Sequence, residues 1–223
     1  MHCHSYTRQY LPDAHRAHVA AVVKFVRRVE ADLGVRIPAL DFGGGFGSRH
    51  LVESHGHTLE SFIARAIEPL AGLRGDREVL IEPGRFLVND AAVCLTSVLS
   101  RKKNAGTRWV LVDAGRNILP TRENAEYVAI PSEVRPGRTR YTVGDFLCMP
   151  TEPHPLSLMS SKIEPGETLA VFNCGAYTFS LAQSFGEMIP NVILVDKGEW
   201  TWLHRKKSVE EQFMQLRGEA EQE

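Results

Sequence analysis

The stretch Asp41-Phe42-Gly43-Gly44-Gly45-Phe46-Gly47 places a cluster of glycines directly after a short apolar run at 37–42. Three successive glycines let the backbone approach a ligand closely and let amide N–H groups point toward an anion such as a phosphate. The third glycine of a dinucleotide-binding fingerprint would fall at Ser48, so that fingerprint is absent. The stretch therefore predicts either an anion-binding loop at the end of a strand or a plain tight turn.

Helical patterns flank this loop on both sides. Apolar residues at spacings of three and four predict a helix over 13–33, with Asp13 placed to cap its start and Gly34 its end. The same period returns over 59–70, behind a capping Thr58. The loop is thus predicted to lie between two amphipathic helices.

A third apolar run at 79–81 completes an alternation of strand and helix. Residues 1–86 then predict the order strand, helix, strand, helix, strand, which gives a parallel sheet with right-handed crossovers. Three parallel strands with two helices leave a long unpaired edge and bury little of the sheet. We therefore expect this part to need additional polypeptide in order to fold.

Beyond residue 86 the apolar runs become short and strand-like, with Gly, Pro and Asn between them. This half predicts a mostly β domain, with a boundary near 86–95, and its tail at 207–223 predicts a terminal helix or a frayed end. The strand-like runs fall at 92–99, 108–113, 126–130, 140–148, 167–173 and 191–195.

Composition excludes several classes of protein. The chain has 223 residues, and 26 Lys and Arg against 27 Asp and Glu give a net charge of −1. That balance provides no overall attraction to nucleic acids or acidic membranes. Four cysteines without a Cys-x-x-Cys pair indicate reduced thiols, and the polar start carries no signal peptide. We therefore expect a cytoplasmic protein with neither a nucleic-acid nor a membrane partner.

Two further motifs lie where ligand-binding groups gather in parallel α/β folds. Glu82-Pro83-Gly84-Arg85 follows the 79–81 run and pairs a carboxylate with a guanidinium, although an exposed turn is the simpler alternative. At the start of the chain, His2 and His4 alternate along a predicted strand, so their side chains share one face. Such a pair suits a metal ion and keeps a metal hydrolase open as an alternative.

The β-rich half carries two polar side chains beside strand ends. Tyr177 lies within Asn173-Cys174-Gly175-Ala176-Tyr177-Thr178-Phe179-Ser180, where its phenol can donate a hydrogen bond to an anion. Cys148 lies just before a turn at Pro150. Taken singly, each residue also fits an ordinary structural role.

Taken together and in this order, the motifs resemble the fold-type III pyridoxal-phosphate decarboxylases, the family of the diaminopimelate, ornithine and arginine enzymes. The resemblance runs from residue 2 to about 195. It implies that 1–88 form an α/β unit, the last three strands of a (β/α)8-type barrel that binds pyridoxal 5′-phosphate. It also implies a mostly antiparallel β-domain over 89–205, a terminal helix or tail over 206–223, and a homodimer.

The resemblance assigns roles to individual side chains. Glu82 would face the pyridine nitrogen, where a carboxylate favours the protonated form of the ring. His4 would lie flat against the ring, and Cys148, donated across the dimer interface, would return a proton after carbon dioxide leaves. The cofactor would further be held, mainly at its phosphate, by Thr7, Gly43, Gly44, Gly45, Pro83, Gly84, Arg85 and Tyr177.

In that family a lysine from an earlier barrel strand binds the cofactor covalently, and this sequence offers no counterpart. Seven lysines are present, and Lys24, the one within 1–86, lies in a helical pattern. The chain is thus expected to be the carboxyl-terminal half of an amino-acid decarboxylase, active with a chain that supplies the lysine half. A non-catalytic, decarboxylase-like regulatory subunit is the alternative.

Two residues are expected to contact the amino-acid substrate. Thr121 falls where the family's carboxylate-binding arginine is expected, and Arg122 follows one residue later. Glu152 stands four residues after Cys148, where aspartate is usual. These departures favour a specialised amino-acid substrate over diaminopimelate.

Overall fold

The computed structural model describes residues 1–5, 7–73, 75–120, 126–148, 157–160 and 162–218. The chain divides into two compact units, Met1–Ala92 and Val93–Glu223. Each unit is described below by itself.

The first unit combines helices with a parallel strand pair. β1 (Ala39–Asp41) pairs with β2 (Glu78–Leu80), so that Leu40 lies opposite Val79. His2 adds an isolated parallel bridge to Asp41, so the strand predicted at the N-terminus is reduced to one bridge. The helices are α1 (Pro12–Leu33), α2 (Arg49–Ser54), α3 (Leu59–Ala66) and α4 (Gly84–Val88).

Helix α1 confirms the helix predicted over 13–33, but its start differs. Pro12 occupies the first turn, where its missing N–H is no loss, and no side chain caps the helix. The predicted cap at Asp13 is wrong, because Asp13 already lies inside the helix and pairs with Arg65 at 2.8 Å. Gly34 ends the helix with a φ of 64°, the left-handed conformation expected of a terminating glycine.

Helix α3 begins as predicted, because the side chains of Thr58 and Ser61 form a capping box. It stops at Ala66, and a 3-10 turn over Glu68–Gly72 replaces the predicted continuation to residue 70. Pro69 explains the change, since proline lacks the N–H that a regular helix needs. Helices α2 and α4 were not predicted, because six and five residues are too few for a periodic pattern.

Two apolar clusters hold the glycine loop at both ends. Phe42 belongs to the cluster beneath α1, and Phe46 belongs to the cluster beneath α3. Residues 43–45 therefore span the gap between two packed anchors. The first cluster contains Val19, Val22, Val23, Val26, Leu40 and Phe42, and the second contains Phe46, Val52, Phe62, Ala66 and Phe86.

A half-buried ion pair ties the end of α1 to the strand pair. Arg77 donates to Glu30 at 2.7 Å and to the Ile37 carbonyl at 2.5 Å, and Glu30 also accepts from the Ile37 amide at 2.7 Å. The hydrogen bond from Arg77 is the main cause that holds the pKa of Glu30 below its usual value. A carboxylate whose pKa is lowered on folding stabilises the fold at neutral pH, and this stabilisation is lost as the pH falls.

Replacing Glu30 with glutamine should therefore lower the Tm at pH 7, and the difference from the unsubstituted protein should shrink in acid. Asp32→Asn is the matched control, because Asp32 forms an exposed pair with Arg28 at 3.4 Å. Thermal unfolding at pH 7 and pH 3.5 measures both variants. An equal loss of Tm at the two pH values would contradict a role for the Glu30 charge.

The second unit contains β3 (Cys94–Asn104), β4 (Thr107–Val112), β5 (Val128–Pro131), β6 (Thr139–Asp145), β7 (Ser157–Ser160) and β8 (Thr168–Phe172). They form one sheet in the order β5-β8-β3-β4-β6-β7. Strands β4 and β6 run parallel, and the other neighbours are antiparallel. The edge strands β5 and β7 also contact each other, so the sheet is nearly closed.

A separate antiparallel ribbon consists of β9 (Val192–Asp196) and β10 (Glu199–His204), and α5 (Val209–Leu216) follows it. The strand-like runs of the sequence analysis correspond to β3, β4, β5, β6, β8 and β9. Strands β7 and β10 were not predicted. Among the described residues, the helices are all too short or too polar to cross a membrane.

Candidate functional site

Three segments of the first unit meet at the carboxyl ends of β1 and β2. The Cys3 amide donates to the Asp41 carbonyl at 2.9 Å, which places the start of the chain beside the end of β1. The Glu82 amide donates to the Gly43 carbonyl at 2.9 Å, which joins the loops that follow β1 and β2. The predicted H-x-H, glycine-loop and E-P-G-R motifs are therefore neighbours in space.

The glycine loop fits closely between the other two segments. Gly43 has a φ of 68°, and a Cβ atom there would lie 2.8 Å from both Cβ and Nδ1 of His4. A Cβ atom on Gly44 would lie 2.5 Å from the carbonyl oxygen of Glu82. Protein Cβ atoms essentially never come this close to another residue's atoms, so a side chain at either position would force its neighbour to move.

The loop amides are used differently from the prediction. The Gly43 amide donates to Oδ1 of Asp41 at 2.9 Å, and the Gly44 amide donates to Nδ1 of His4 at 3.2 Å. Both amides, predicted to bind a phosphate, thus serve to shape the loop. Within the described residues, the Gly45 amide is the one of the three that is left for an anion.

His4 has a fixed ring orientation. Its Nδ1 accepts the Gly44 amide, so a neutral ring carries its proton on Nε2. The side chain is exposed, which leaves the ring accessible to a ligand.

A second histidine holds the segment that carries His4. His18 of α1 is buried, its Nε2 lies 2.9 Å from the Cys3 carbonyl oxygen and its Nδ1 lies 2.7 Å from Oγ of Ser5. Both bonds fall within the first five residues, on either side of His4. The segment is therefore tied to α1 as well as to β1.

His2, Asp41 and Glu82 form a compact polar group at this end of the strand pair. Nδ1 of His2 lies 2.8 Å from Oδ2 of Asp41, and the Glu82 carboxylate lies beside that of Asp41. Each residue offers one atom that could bind a metal ion, and these three atoms lie within 4.8 Å of one another. The Gly43 amide and then His2 hold the pKa of Asp41 below its usual value.

This group differs from the metal alternative based on His2 and His4. The structure pairs His2 with Asp41 and His4 with the Gly44 amide, so the two histidines have separate partners. Asp41 was missed as a site residue, because it lies within the run at 37–42 that was interpreted as a strand. Its position two residues before three successive glycines was the available signal.

The E-P-G-R motif forms the start of α4. Glu82 and Gly84 are exposed, and Pro83 precedes the first turn of the helix. Arg85 is half-buried and donates to Oδ1 of Asn89 at 3.2 Å. Thr7, the other predicted phosphate contact in this unit, is exposed.

Tyr177 and Cys148 belong to the second unit. Tyr177 has a φ of 58° and is 54% exposed. Bulky residues rarely adopt this left-handed conformation, and such strain concentrates at functional positions. Cys148 is exposed, whereas burial raises the pKa of Cys94 to about 11 and that of Cys174 to about 12. The predicted substrate contacts Arg122 and Glu152 lie outside the described residues.

The close approach of Gly44 to Glu82 gives a direct test of the loop. Gly44→Ala should lower the free energy of unfolding by about 2 kcal/mol, since the backbone of one segment must move. Gly84→Ala is the matched control, because its Cβ atom would meet nothing within 4 Å, and it should change stability by less than about 0.5 kcal/mol. Equal denaturation midpoints for the two variants would show that the segments are not packed as described.

The proteins to which this chain is similar in sequence are decarboxylases. Residues 1–89 match the family described as pyridoxal-dependent decarboxylase, pyridoxal binding domain. The diaminopimelate decarboxylase of Archaeoglobus fulgidus is 31% identical over 187 residues, 79% of this chain and 44% of that protein. The L-glutamyl-(BtrI acyl-carrier protein) decarboxylase of Niallia circulans is 26% identical over 230 residues, 95% of this chain and 53% of that protein.

A solved structure extends the likeness to both units. The diaminopimelate decarboxylase from Helicobacter pylori, complexed with L-lysine, has a TM-score of 0.74 and 26% identity, and the match covers 98% of this chain and 54% of that one. This chain spans about half the length of the relatives it matches, or somewhat less. These findings support a relationship between this chain and the pyridoxal-phosphate-dependent decarboxylases.

Proposed function

We propose that this chain is part of a pyridoxal-phosphate-dependent amino-acid decarboxylase whose cofactor-binding lysine comes from polypeptide outside these residues. The observation that carries the proposal is the meeting of His4, the glycine loop and Glu82 at one end of the β1–β2 pair. A flat ring, a tight backbone loop and a carboxylate are brought together from three distant parts of the sequence.

The residues of this site fit a pyridoxal phosphate group chemically. The glycine loop has no room for a Cβ atom at Gly43 or Gly44, so its backbone can border a ligand directly. Glu82 offers a carboxylate to a ring nitrogen, and the exposed ring of His4 offers a stacking surface. The guanidinium of Arg85 and the Gly45 amide supply donors suited to a phosphate.

The bound cofactor supplies an electron sink for the bond that breaks when carbon dioxide leaves. Glu82 favours the protonated ring nitrogen, because an adjacent negative charge stabilises the cation. His4 holds the ring from one side, with its orientation fixed by the Gly44 amide. Tyr177 and Cys148 keep the roles implied by the resemblance: the Tyr177 hydroxyl binds phosphate, and Sγ of Cys148 carries the proton delivered to the product carbon.

The proposed need for further polypeptide rests on two observations. Lys24, the one lysine in the first unit, is exposed on α1 and does not follow a strand. Val79 and Leu80 of β2 are 43% and 41% exposed, whereas parallel strands are normally covered on both faces. A chain that contributes the lysine half of a barrel would cover these side chains, and we propose a homodimer of such pairs as the active form.

The proposed substrate is an amino acid that loses its carboxyl group. Arg122 and Glu152 are the proposed side-chain contacts. The relatives decarboxylate diaminopimelate or a glutamyl group on a carrier protein, as their names state. These two compounds are therefore the first substrates to test.

The test combines the purified chain with a polypeptide that supplies the earlier barrel strands and a strand-end lysine. Release of labelled carbon dioxide from carboxyl-labelled amino acids is expected from the mixture and from neither component alone. Release by this chain alone would contradict the requirement for an external lysine. A stable mixture that binds pyridoxal phosphate without releasing carbon dioxide would contradict the enzymatic proposal.

That last outcome is what a second candidate function predicts. The missing lysine favours a non-catalytic, decarboxylase-like subunit that binds the cofactor or a partner decarboxylase. Such a subunit would change the activity of its partner on association. Association measured by ultracentrifugation, with partner activity recorded in parallel, separates the two functions.

A further inference from the structure

Glu82, the proposed cofactor contact, lies in a group of polar side chains with Asp41 and His2. Its carboxylate lies within 4.8 Å of the carboxylate of Asp41, and Asp41 in turn is 2.8 Å from Nδ1 of His2. The Gly43 amide donates to the other carboxylate oxygen of Asp41 at 2.9 Å. Asp41 is thus held from two directions, by the side chain of His2 and by the glycine loop, and its carboxylate lies beside that of Glu82.

Two neighbouring carboxyl groups repel each other when both are charged, so their charge states are coupled. Asp41 is the member of the pair that is stabilised as an anion, because it accepts from the Gly43 amide and from His2. Glu82 is the member that reaches the exposed side of the group. Any positive charge that binds to Glu82 would therefore also be attracted electrostatically by Asp41.

We propose that Asp41, oriented by His2 and by the Gly43 amide, sets a second negative charge beside Glu82, which strengthens protonation of the cofactor ring nitrogen. This inference rests on the proposed function. It adds to that function a distinct electrostatic role for two residues that do not themselves contact the cofactor.

Other charged and titratable groups near Glu82 have partners of their own. The amino group of Met1 donates to the Ala39 carbonyl at 2.8 Å. His4 uses its Nδ1 to accept the Gly44 amide, and Arg85 donates to Asn89. Among the described residues, the groups that bond to the Asp41 carboxylate are therefore His2 and the Gly43 amide.

The test uses pyridoxamine 5′-phosphate with a ¹⁵N-labelled ring, because this compound lacks the aldehyde and needs no lysine. The ¹⁵N chemical shift of the ring, followed against pH, reports the protonation of the ring nitrogen in the bound state. Asp41→Asn should lower the pKa of the bound ring nitrogen by about 1 to 2 pH units, the size expected for loss of one neighbouring charge. Asp13→Asn is the matched control: Asp13 pairs with Arg65 outside the site, and its removal should leave the ring unchanged.

His2 provides a second pair of variants. His2→Asn keeps an N–H donor close to the position of Nδ1 and should retain the ring pKa, whereas His2→Phe removes the donor and should lower it by less than Asp41→Asn does. An unchanged ring pKa in folded Asp41→Asn would overturn the inference and leave the proposed function standing. Failure of the unsubstituted chain to bind pyridoxamine 5′-phosphate would instead count against the proposed function.

Discussion

Replacing Arg85 with alanine should weaken binding of pyridoxamine 5′-phosphate roughly ten- to hundred-fold. A charge-assisted hydrogen bond contributes about 1.5–3 kcal/mol, and each 1.4 kcal/mol is about tenfold in Kd. Arg85 lies in the first turn of α4 and follows the segment whose Glu82 amide donates to the Gly43 carbonyl, and the proposal assigns its guanidinium to the phosphate. Isothermal titration calorimetry on the full chain measures the change.

Two variants make this result specific. Arg85→Lys keeps the charge but loses the planar fork of donors, so its Kd should fall between those of the wild type and the alanine variant. Arg16→Ala removes an exposed arginine that pairs with Glu68 on the outside of the same unit, and should leave the Kd unchanged. Because Arg85 also bonds to the buried Asn89, thermal unfolding must confirm that each variant is folded. Equal Kd values for Arg85→Ala and the wild type would remove Arg85 from the site.

Replacing Cys148 with alanine should spare cofactor binding and slow carbon dioxide release about 10² to 10⁴-fold in the enzyme reconstituted with the lysine-bearing polypeptide. The expectation follows from the proposed proton transfer, because alanine has no proton to deliver. Cys148 is exposed, so its thiol is accessible to a substrate. Turnover and cofactor affinity are measured on the same preparation.

Cys94→Ala is the control for this experiment. Burial raises the pKa of Cys94 to about 11, so its thiol stays protonated and unreactive at neutral pH. Its replacement should leave turnover unchanged within about twofold. If Cys94→Ala and Cys148→Ala slowed turnover equally, the loss would reflect a disturbed β unit and the assignment of Cys148 would fall.

Long periodic patterns were the part of the fold that the sequence predicted well. Helix α1 has 22 residues, so its apolar stripe repeats often enough to be recognised, and Gly34 marks its end. The start of α3 was predicted from Thr58, because capping depends on residues close together in sequence. Asp13 misled the prediction, since a carboxylate in a first turn and a capping carboxylate look alike in sequence.

Long-range pairing was the part that could not be predicted from local pattern. The parallel pairing of β4 with β6 depends on the whole sheet, and no short stretch of sequence encodes it. In the site, His2 and Asp41 are 39 residues apart, and their bond depends on a single bridge between the N-terminus and β1. The resemblance to decarboxylases placed His4, Gly44 and Glu82 in one site, but it did not reveal that the Gly43 and Gly44 amides bond to Asp41 and His4.

His4, the glycine loop and Glu82 are proposed to form one binding site for a vitamin B6 phosphate. Backbone amide NMR of the ¹⁵N-labelled chain, titrated with pyridoxamine 5′-phosphate, tests it most directly. We predict saturable shifts concentrated at 43–45, at 82–85 and at His4, and few shifts elsewhere in the first unit. Absence of saturable binding, or shifts confined to residues away from the β1–β2 strand ends, would contradict the account.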